Sequence, residues 1–230
     1  MKVYELTLKV YLLKDIYQGQ TLERITEIID SSLISTENFR NFHNSKSFKH
    51  YTFNSFYRLE EDQVYKAGKI YSVKIRTVDE MLVEHFKKNL ANAYTEYIKG
   101  LTLDCRILVK KHIEKLYSIT PSIIKTDQGY WKGHLSIEDY DRRLRENLIK
   151  KYNHYFNTKL DEDFELFYRI ELNNHKPIGS SYKNVKLLGD KLTLYVAENK
   201  IAQKIAYFSL ASGVGEMNSR GYGFINYKFL

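Results

Sequence analysis

Cysteine and proline are scarce in this chain of 230 residues, and long apolar runs are lacking. The single cysteine, Cys105, excludes a disulfide within the chain and a zinc site built from several thiolates. With only Pro121 and Pro177, the chain has no proline-rich linker. No segment approaches the roughly 18 apolar residues of a membrane-spanning helix. Residues 1–14 alternate like a strand and carry three lysines, unlike a signal peptide. We therefore expect a cytoplasmic protein with no membrane partner.

Basic charge and aromatic rings are abundant instead. Thirty-six Lys and Arg against 28 Asp and Glu give a net charge of +8, and residues 1–115 and 116–230 each contribute +4. There are 20 Tyr and 12 Phe. Cationic side chains attract phosphates and aromatic rings stack on bases, so this composition is typical of a nucleic-acid binder. An origin in a lysine-rich proteome would explain the charge equally well.

The hydrophobic pattern of the first half predicts a β-α-β-β-α-β unit. Alternating or apolar strands are followed by segments whose apolar residues recur at helical spacing. The predicted strands are 3–13, 51–56, 71–77 and 101–109, and the predicted helices are 21–32 and 78–94. This order is that of a ferredoxin-like domain.

The same order recurs in the second half. The predicted strands are 119–126, 164–172, 182–196 and 221–230, and the predicted helices are 136–156 and 199–211. The segment 182–196 is predicted to be a hairpin that turns at Gly189–Asp190. We therefore predict an α+β protein of two tandem ferredoxin-like (RRM-like, βαββαβ) domains, 1–115 and 116–230, with a central cleft. The catalytic segment would lie in the first domain and a glycine-rich loop in the second.

Four of the eleven glycines fall within residues 213–223. A dinucleotide-binding fingerprint is disfavoured because Asn218 replaces its third glycine and the helix precedes the loop. The P-loop motif is absent. Residues 220–227 resemble the RNP1 motif of RNA recognition motifs, but RNP1 lies on an internal strand and this segment ends the chain.

A glycine-rich loop can bring backbone N–H groups close to an oxyanion and so form a phosphate nest. Asn218, Ser219 and Arg220 would add side-chain donors. The alternative is a loop whose glycines serve only a tight connection.

The loop and a segment near residue 43 together resemble the CRISPR repeat-processing endoribonucleases of the RAMP superfamily. Those proteins end in two closely spaced glycines, a Ser or Asn, and a Gly-aromatic-Gly sequence. The resemblance implies a tandem ferredoxin-like fold and RNA binding by the loop. The residues implied in RNA binding are Gly213, Gly215, Asn218, Ser219, Arg220, Gly221, Tyr222 and Gly223.

The same resemblance implies that His43 is catalytic and that Lys49 supports it, with Lys46 as a second candidate. His is suited to proton transfer near neutral pH, and an ammonium stabilises charge that develops on a phosphate. Some relatives add a Tyr from the first helix. Here Ile28 lies near that position, and Tyr17 is the candidate substitute.

These features predict a metal-independent endoribonuclease that needs no cofactor. It would cut CRISPR repeat RNA by attack of the 2′-OH, leaving a 2′,3′-cyclic phosphate and a 5′-OH. A CRISPR effector complex is an expected partner, and a homodimer that wraps the RNA is compatible with the sequence. Two alternatives stay open, namely a non-catalytic RAMP subunit that binds guide RNA and a structural protein with incidental charge.

Overall fold

The computed structural model describes residues 1–183 and 185–230 and contains two similar antiparallel sheets. The strands of one sheet lie within residues 4–107 and those of the other within residues 113–229. Each sheet has two helical connections. Within the described residues, no helix has the length and apolar character needed to cross a membrane.

The first sheet is built around β1, which pairs with β5 on one side and β6 on the other. The strand order is β3-β5-β1-β6. The strands of this half are β1 (Tyr4–Leu12), β2 (Ile16–Tyr17), β3 (Tyr51–Phe53), β4 (Val64–Tyr65), β5 (Ile70–Thr77) and β6 (Ile98–Ile107). The helices are α1 (Thr21–Leu33), α2 (Glu37–Asn44) and α3 (Glu80–Asn89). Along β1 every second side chain from Leu6 to Leu12 is fully buried, as expected for a strand with one face on a core.

The second sheet repeats this arrangement in the order β12-β7-β11-β8. Its strands are β7 (Ile113–Ser118), β8 (Phe167–Leu172), β11 (Leu192–Val196) and β12 (Ile225–Phe229), and its helices are α4 (Ile137–Phe156) and α5 (Lys200–Ser212). A separate hairpin of β9 (Ile178–Tyr182) and β10 (Val185–Gly189) is inserted between β8 and β11. In both halves the first and third strands of the βαββαβ order are central, which confirms the predicted tandem ferredoxin-like fold.

Two strand predictions in the second half are wrong. The first strand is β7, and residues 119–126 are instead an extended crossing in which Thr120 and residues 122–124 are buried. Ile123 packs in the core of the first half, whereas Ile124 packs in the core of the second. Apolar residues thus occur there for packing on two cores and not for pairing in a sheet.

The predicted hairpin at Gly189–Asp190 does not form, because Asp190 is buried and hydrogen-bonded to several other segments. Its backbone exchanges two hydrogen bonds with Ser122, and its carboxylate accepts hydrogen bonds from Tyr130, Trp131 and Asn174. These contacts separate β10 from β11. In the first half, α2 was not predicted, and α3 is shorter than the predicted helix 78–94 because residues Leu90–Asn92 form a 3₁₀ turn.

Arg76 joins the two halves from the interior. Its side chain is 2% exposed. The guanidinium donates to the Glu5 carboxylate on β1 at 2.8 Å, to the Ile225 carbonyl at 2.6 Å and to the Asn226 side chain at 2.8 Å. One charge therefore binds acceptors from both sheets.

We expect Arg76→Met to lower the free energy of unfolding by about 3–5 kcal/mol, because it leaves the buried Glu5 carboxylate without its main partner. Chemical denaturation measures this loss. The matched control is Arg106→Met, which removes an exposed partner of the same carboxylate and should cost about 1 kcal/mol or less. Equal losses in the two variants would contradict the importance of the buried pair.

Candidate functional site

The glycine-rich loop connects α5 to β12 and packs directly on the first half. Gly221 has a φ of +85°, and a Cβ at this position would lie 2.6 Å from the Phe53 ring. Gly223 has a φ of +66°, and a Cβ there would lie 1.9 Å from the Val214 carbonyl oxygen. The glycines thus allow left-handed torsions and close approach at once.

Several amides of this loop already donate hydrogen bonds to carbonyls of the protein. The Gly213 amide donates to Ser209 at the end of α5, the Gly221 amide to Asn218, and the Gly223 amide to Pro121. In this conformation those three N–H groups are not available to a phosphate. The predicted nest is therefore not built from them.

The loop instead turns carbonyl oxygens toward a buried lysine. Lys151 on α4 is 3% exposed, and its ammonium donates to the carbonyls of Gly213 at 3.1 Å and Gly215 at 2.6 Å and to the Asn218 side chain at 2.6 Å. Burial, opposed by the Glu216 charge, lowers the pKa of Lys151 to about 7. The three acceptors match the three N–H donors of an ammonium group.

Other predicted loop residues also have structural partners. The Asn218 amide donates to the carbonyls of Val214 and Tyr222. The Tyr222 ring is buried, and its hydroxyl shares a 2.6 Å hydrogen bond with Ser180 on the inserted hairpin. Ser219 lies at the edge of a cavity, where its carbonyl accepts from the Tyr51 hydroxyl at 3.4 Å.

Arg220 brings the loop to the predicted catalytic histidine through a shared carboxylate. Its Nη1 lies 2.7 Å from both oxygens of Asp30 near the end of α1. His43 lies in the last turn of α2, and the distance between its Nδ1 and Asp30 Oδ1 is 3.4 Å. Burial lowers the pKa of Arg220, but the charge and hydrogen bond of Asp30, together with Tyr51 and Tyr182, raise the pKa overall.

Lys49 lies against the end of α2. Its ammonium donates to the Phe42 carbonyl and, at 2.8 Å, to both the carbonyl and the hydroxyl of Ser45. Burial and the nearby Arg220 charge lower the pKa of Lys49, while the Asp30 charge opposes them. Lys49 therefore lies in the same charged group as His43.

A cavity of about 350 Å³ separates residues 45–51 from residues 215–219 of the loop. Lys46 and Lys49 line one side, and Lys151 lies at its base. His50 also lines it, and its Nε2 is 2.8 Å from His154 Nδ1. Burial, the His154 charge and the Lys151 charge lower the pKa of His50 to about 3, so this imidazole is neutral at physiological pH.

Tyr17 does not join this group. It lies on β2, paired with Val64, and its side chain is 63% exposed. Within the described ranges, no hydrogen bond connects its hydroxyl to His43 or Lys49. In the same ranges, no cluster of three or more His, Cys, Asp or Glu could hold a metal ion.

Comparison with known proteins places the second half of the chain in a defined family. Residues 116–227 match the family described as "CRISPR associated protein Cas6, C-terminal". Residues 116–227 of this chain belong to this Cas6 family. No curated protein sequence matches it.

Solved structures show the same fold over the whole length. One described as "CRISPR associated protein Cas6" is 19% identical with a TM-score of 0.70, covering 98% of this chain and 99% of the other. A Cas6-related protein from Pyrococcus furiosus is also 19% identical, with a TM-score of 0.66 and 98% coverage of both chains. A RAMP protein described as binding different RNA substrates is 18% identical, with a TM-score of 0.68 and coverage of 98% and 99%.

Two residues of this site were not identified from the sequence. Lys151 lies among the basic residues of α4, but it follows Leu144 by seven residues and Leu148 by three, a spacing that places it on the buried face. Asp30 had no comparable signal, because its partners come from α2 and from a loop 190 residues away.

We expect Lys151 to make stability rise with pH. Its pKa is about 7 when folded and near 10.5 when unfolded, so between these values the unfolded chain binds the extra proton. The free energy of unfolding should then rise by about 1.4 kcal/mol per pH unit. Lys151→Met should lack this contribution, as measured by denaturation at about pH 7.5 and about pH 9.

The matched control is Lys150→Met, which changes the neighbouring exposed lysine on the same helix. It should keep the wild-type dependence on pH. A Lys151→Met protein with the wild-type slope would show that the lysine titrates normally.

Proposed function

We propose that this Cas6-family protein is a metal-independent endoribonuclease that cuts CRISPR repeat RNA in the precursor transcript and releases guide RNAs. The family of the second half supports this substrate, and the fold is that of a RAMP protein described as binding RNA. The net charge of +8 supports a polyanionic ligand.

One observation carries the proposal. His43 and Lys49 lie at the end of α2, and the loop of the other half reaches His43 through the Arg220–Asp30 ion pair. The loop of the second domain thus reaches the candidate general acid or base, and the cation Lys49 lines a cavity together with loop residues 215–219. These are the groups that cleavage of RNA without a metal requires.

In the proposed reaction, His43 takes the proton from the ribose 2′-OH and the 2′ oxygen attacks the phosphorus. The bond between phosphorus and the 5′ oxygen breaks, and that oxygen takes a proton from a general acid. Lys49 is the candidate for this acid and for stabilising the phosphorane, because its pKa is lowered by burial. The products are a 2′,3′-cyclic phosphate and a 5′-OH.

The RNA would contact the loop at its partly buried residues 216, 217, 219 and 220. Ser219 and Lys46 line the cavity from opposite sides. Gly213, Gly221 and Gly223 would act indirectly, by giving the loop its shape. The released guide RNA would then pass to an effector complex.

We expect the protein to cleave repeat RNA in the presence of EDTA, and His43→Ala to lower the rate by about 10²–10⁴-fold, the usual contribution of a general acid or base. Denaturing electrophoresis of labelled RNA gives the rate, and end-group analysis identifies the cyclic phosphate. His175→Ala is the matched control, since this exposed histidine lies on the turn between β8 and β9.

Three outcomes would contradict the proposal. These are a requirement for a divalent metal, products that carry a 5′-phosphate, and full activity in His43→Ala. Tight repeat binding without cleavage by the wild type would instead identify a binding subunit.

A further inference from the structure

Asp30 occupies a central position that the proposed reaction does not yet use. It lies near the end of α1, is partly buried, and meets α2 on one side and the glycine-rich loop on the other. Its carboxylate is bound by Arg220 at 2.7 Å through both oxygens and faces His43 Nδ1 at 3.4 Å. Three segments that are distant in sequence therefore converge on one carboxylate.

This contact constrains the proton on His43. An ionised carboxylate attracts an N–H and repels a nitrogen lone pair, so at 3.4 Å the Asp30 charge favours a proton on the ring nitrogen that faces it. The other nitrogen, Nε2, is then left with its lone pair. A neutral His43 with this tautomer can accept a proton at Nε2 but cannot donate one from it.

Arg220 fixes the carboxylate itself. A single guanidinium nitrogen bridges both oxygens of Asp30, and the Arg220 backbone is held in the 3₁₀ turn Asn218–Arg220 of the loop. Hydrogen-bonded partners of this kind orient the side chains that they contact. The loop thereby acts on His43 from the second domain without touching it.

We propose that Asp30, held by Arg220, is a positioning residue that fixes His43 in the tautomer with a free Nε2, and so makes His43 the general base. This inference rests on the proposed function for the reaction. The predicted position of the proton on His43 can be tested whether or not the protein cleaves RNA. When His43 takes the 2′-OH proton, the Asp30 carboxylate also stabilises the imidazolium that forms.

The tautomer can be measured directly in the wild-type protein. The nitrogen chemical shifts of the His43 imidazole, assigned by NMR with His43→Gln as reference, distinguish a proton on Nδ1 from one on Nε2. We expect neutral His43 to carry its proton on Nδ1. A neutral ring protonated mainly on Nε2 would overturn the proposal even if the enzyme is active.

The kinetic test uses Asp30→Asn, which keeps the size and one oxygen of the side chain but removes the charge and adds an amide donor. We expect kcat for repeat RNA to fall by about 10- to 100-fold with KM unchanged, and the proton to move toward Nε2. Asp30→Glu should recover part of kcat. The matched control is Asp62→Asn, which removes a carboxylate paired with Lys66 and Val64 and should leave kcat unchanged.

These measurements separate two kinds of failure. If the wild type does not cleave repeat RNA, the proposed function fails. The measured position of the proton on His43 then still tests whether Asp30 orients this ring. If the wild type cleaves and Asp30→Asn keeps both kcat and the wild-type tautomer, only the role of Asp30 is refuted. A rise in KM with constant kcat would place Asp30 in RNA binding and would likewise refute it.

Discussion

The docking of the glycine-rich loop on the first domain is the contact on which the site depends. Gly221 lies where the Phe53 ring and the Leu22 side chain would meet any Cβ. A larger residue would push the loop away from α1 and β3. Because Arg220 directly precedes this position, a displaced loop would also release Asp30. The geometry at His43 is thus set by a backbone approach that only glycine permits.

Buried cations stabilise this arrangement in two different ways. Arg76 has a full counter-charge in Glu5, so it links the sheets as a member of an ion pair. Lys151 has three uncharged acceptors around its ammonium and only the more distant charge of Glu216. The first arrangement keeps its charge at every physiological pH, whereas the second responds to pH in the neutral range.

The sequence pattern predicted the order of most elements because amphipathic periodicity reports burial within each element. It failed where burial had another cause. Residues 119–126 are apolar because two cores cover them, and Gly189–Asp190 looked like a turn although Asp190 binds Trp131 and Tyr130 in the interior.

Prediction of the site was limited in the same way. The pairing of His43 with Lys49 is local in sequence and could be recognised from a family pattern. The contacts of Asp30 depend on tertiary packing, which no spacing encodes. The loop glycines were recognised as special, but the amides of Gly213, Gly221 and Gly223 bind the protein itself. That distinction depends on which carbonyl lies opposite each N–H.

Arg76 also bears on how such a duplicated architecture can change over time. Val3, Val78 and Leu108 of the first domain belong to the core of the second. Excising either domain would expose these side chains and remove acceptors from the Arg76 guanidinium. Although the fold looks like two copies of one module, its halves are not interchangeable parts. Recombination that exchanged one half for that of a distant homologue would have to carry the matching interior contacts with it.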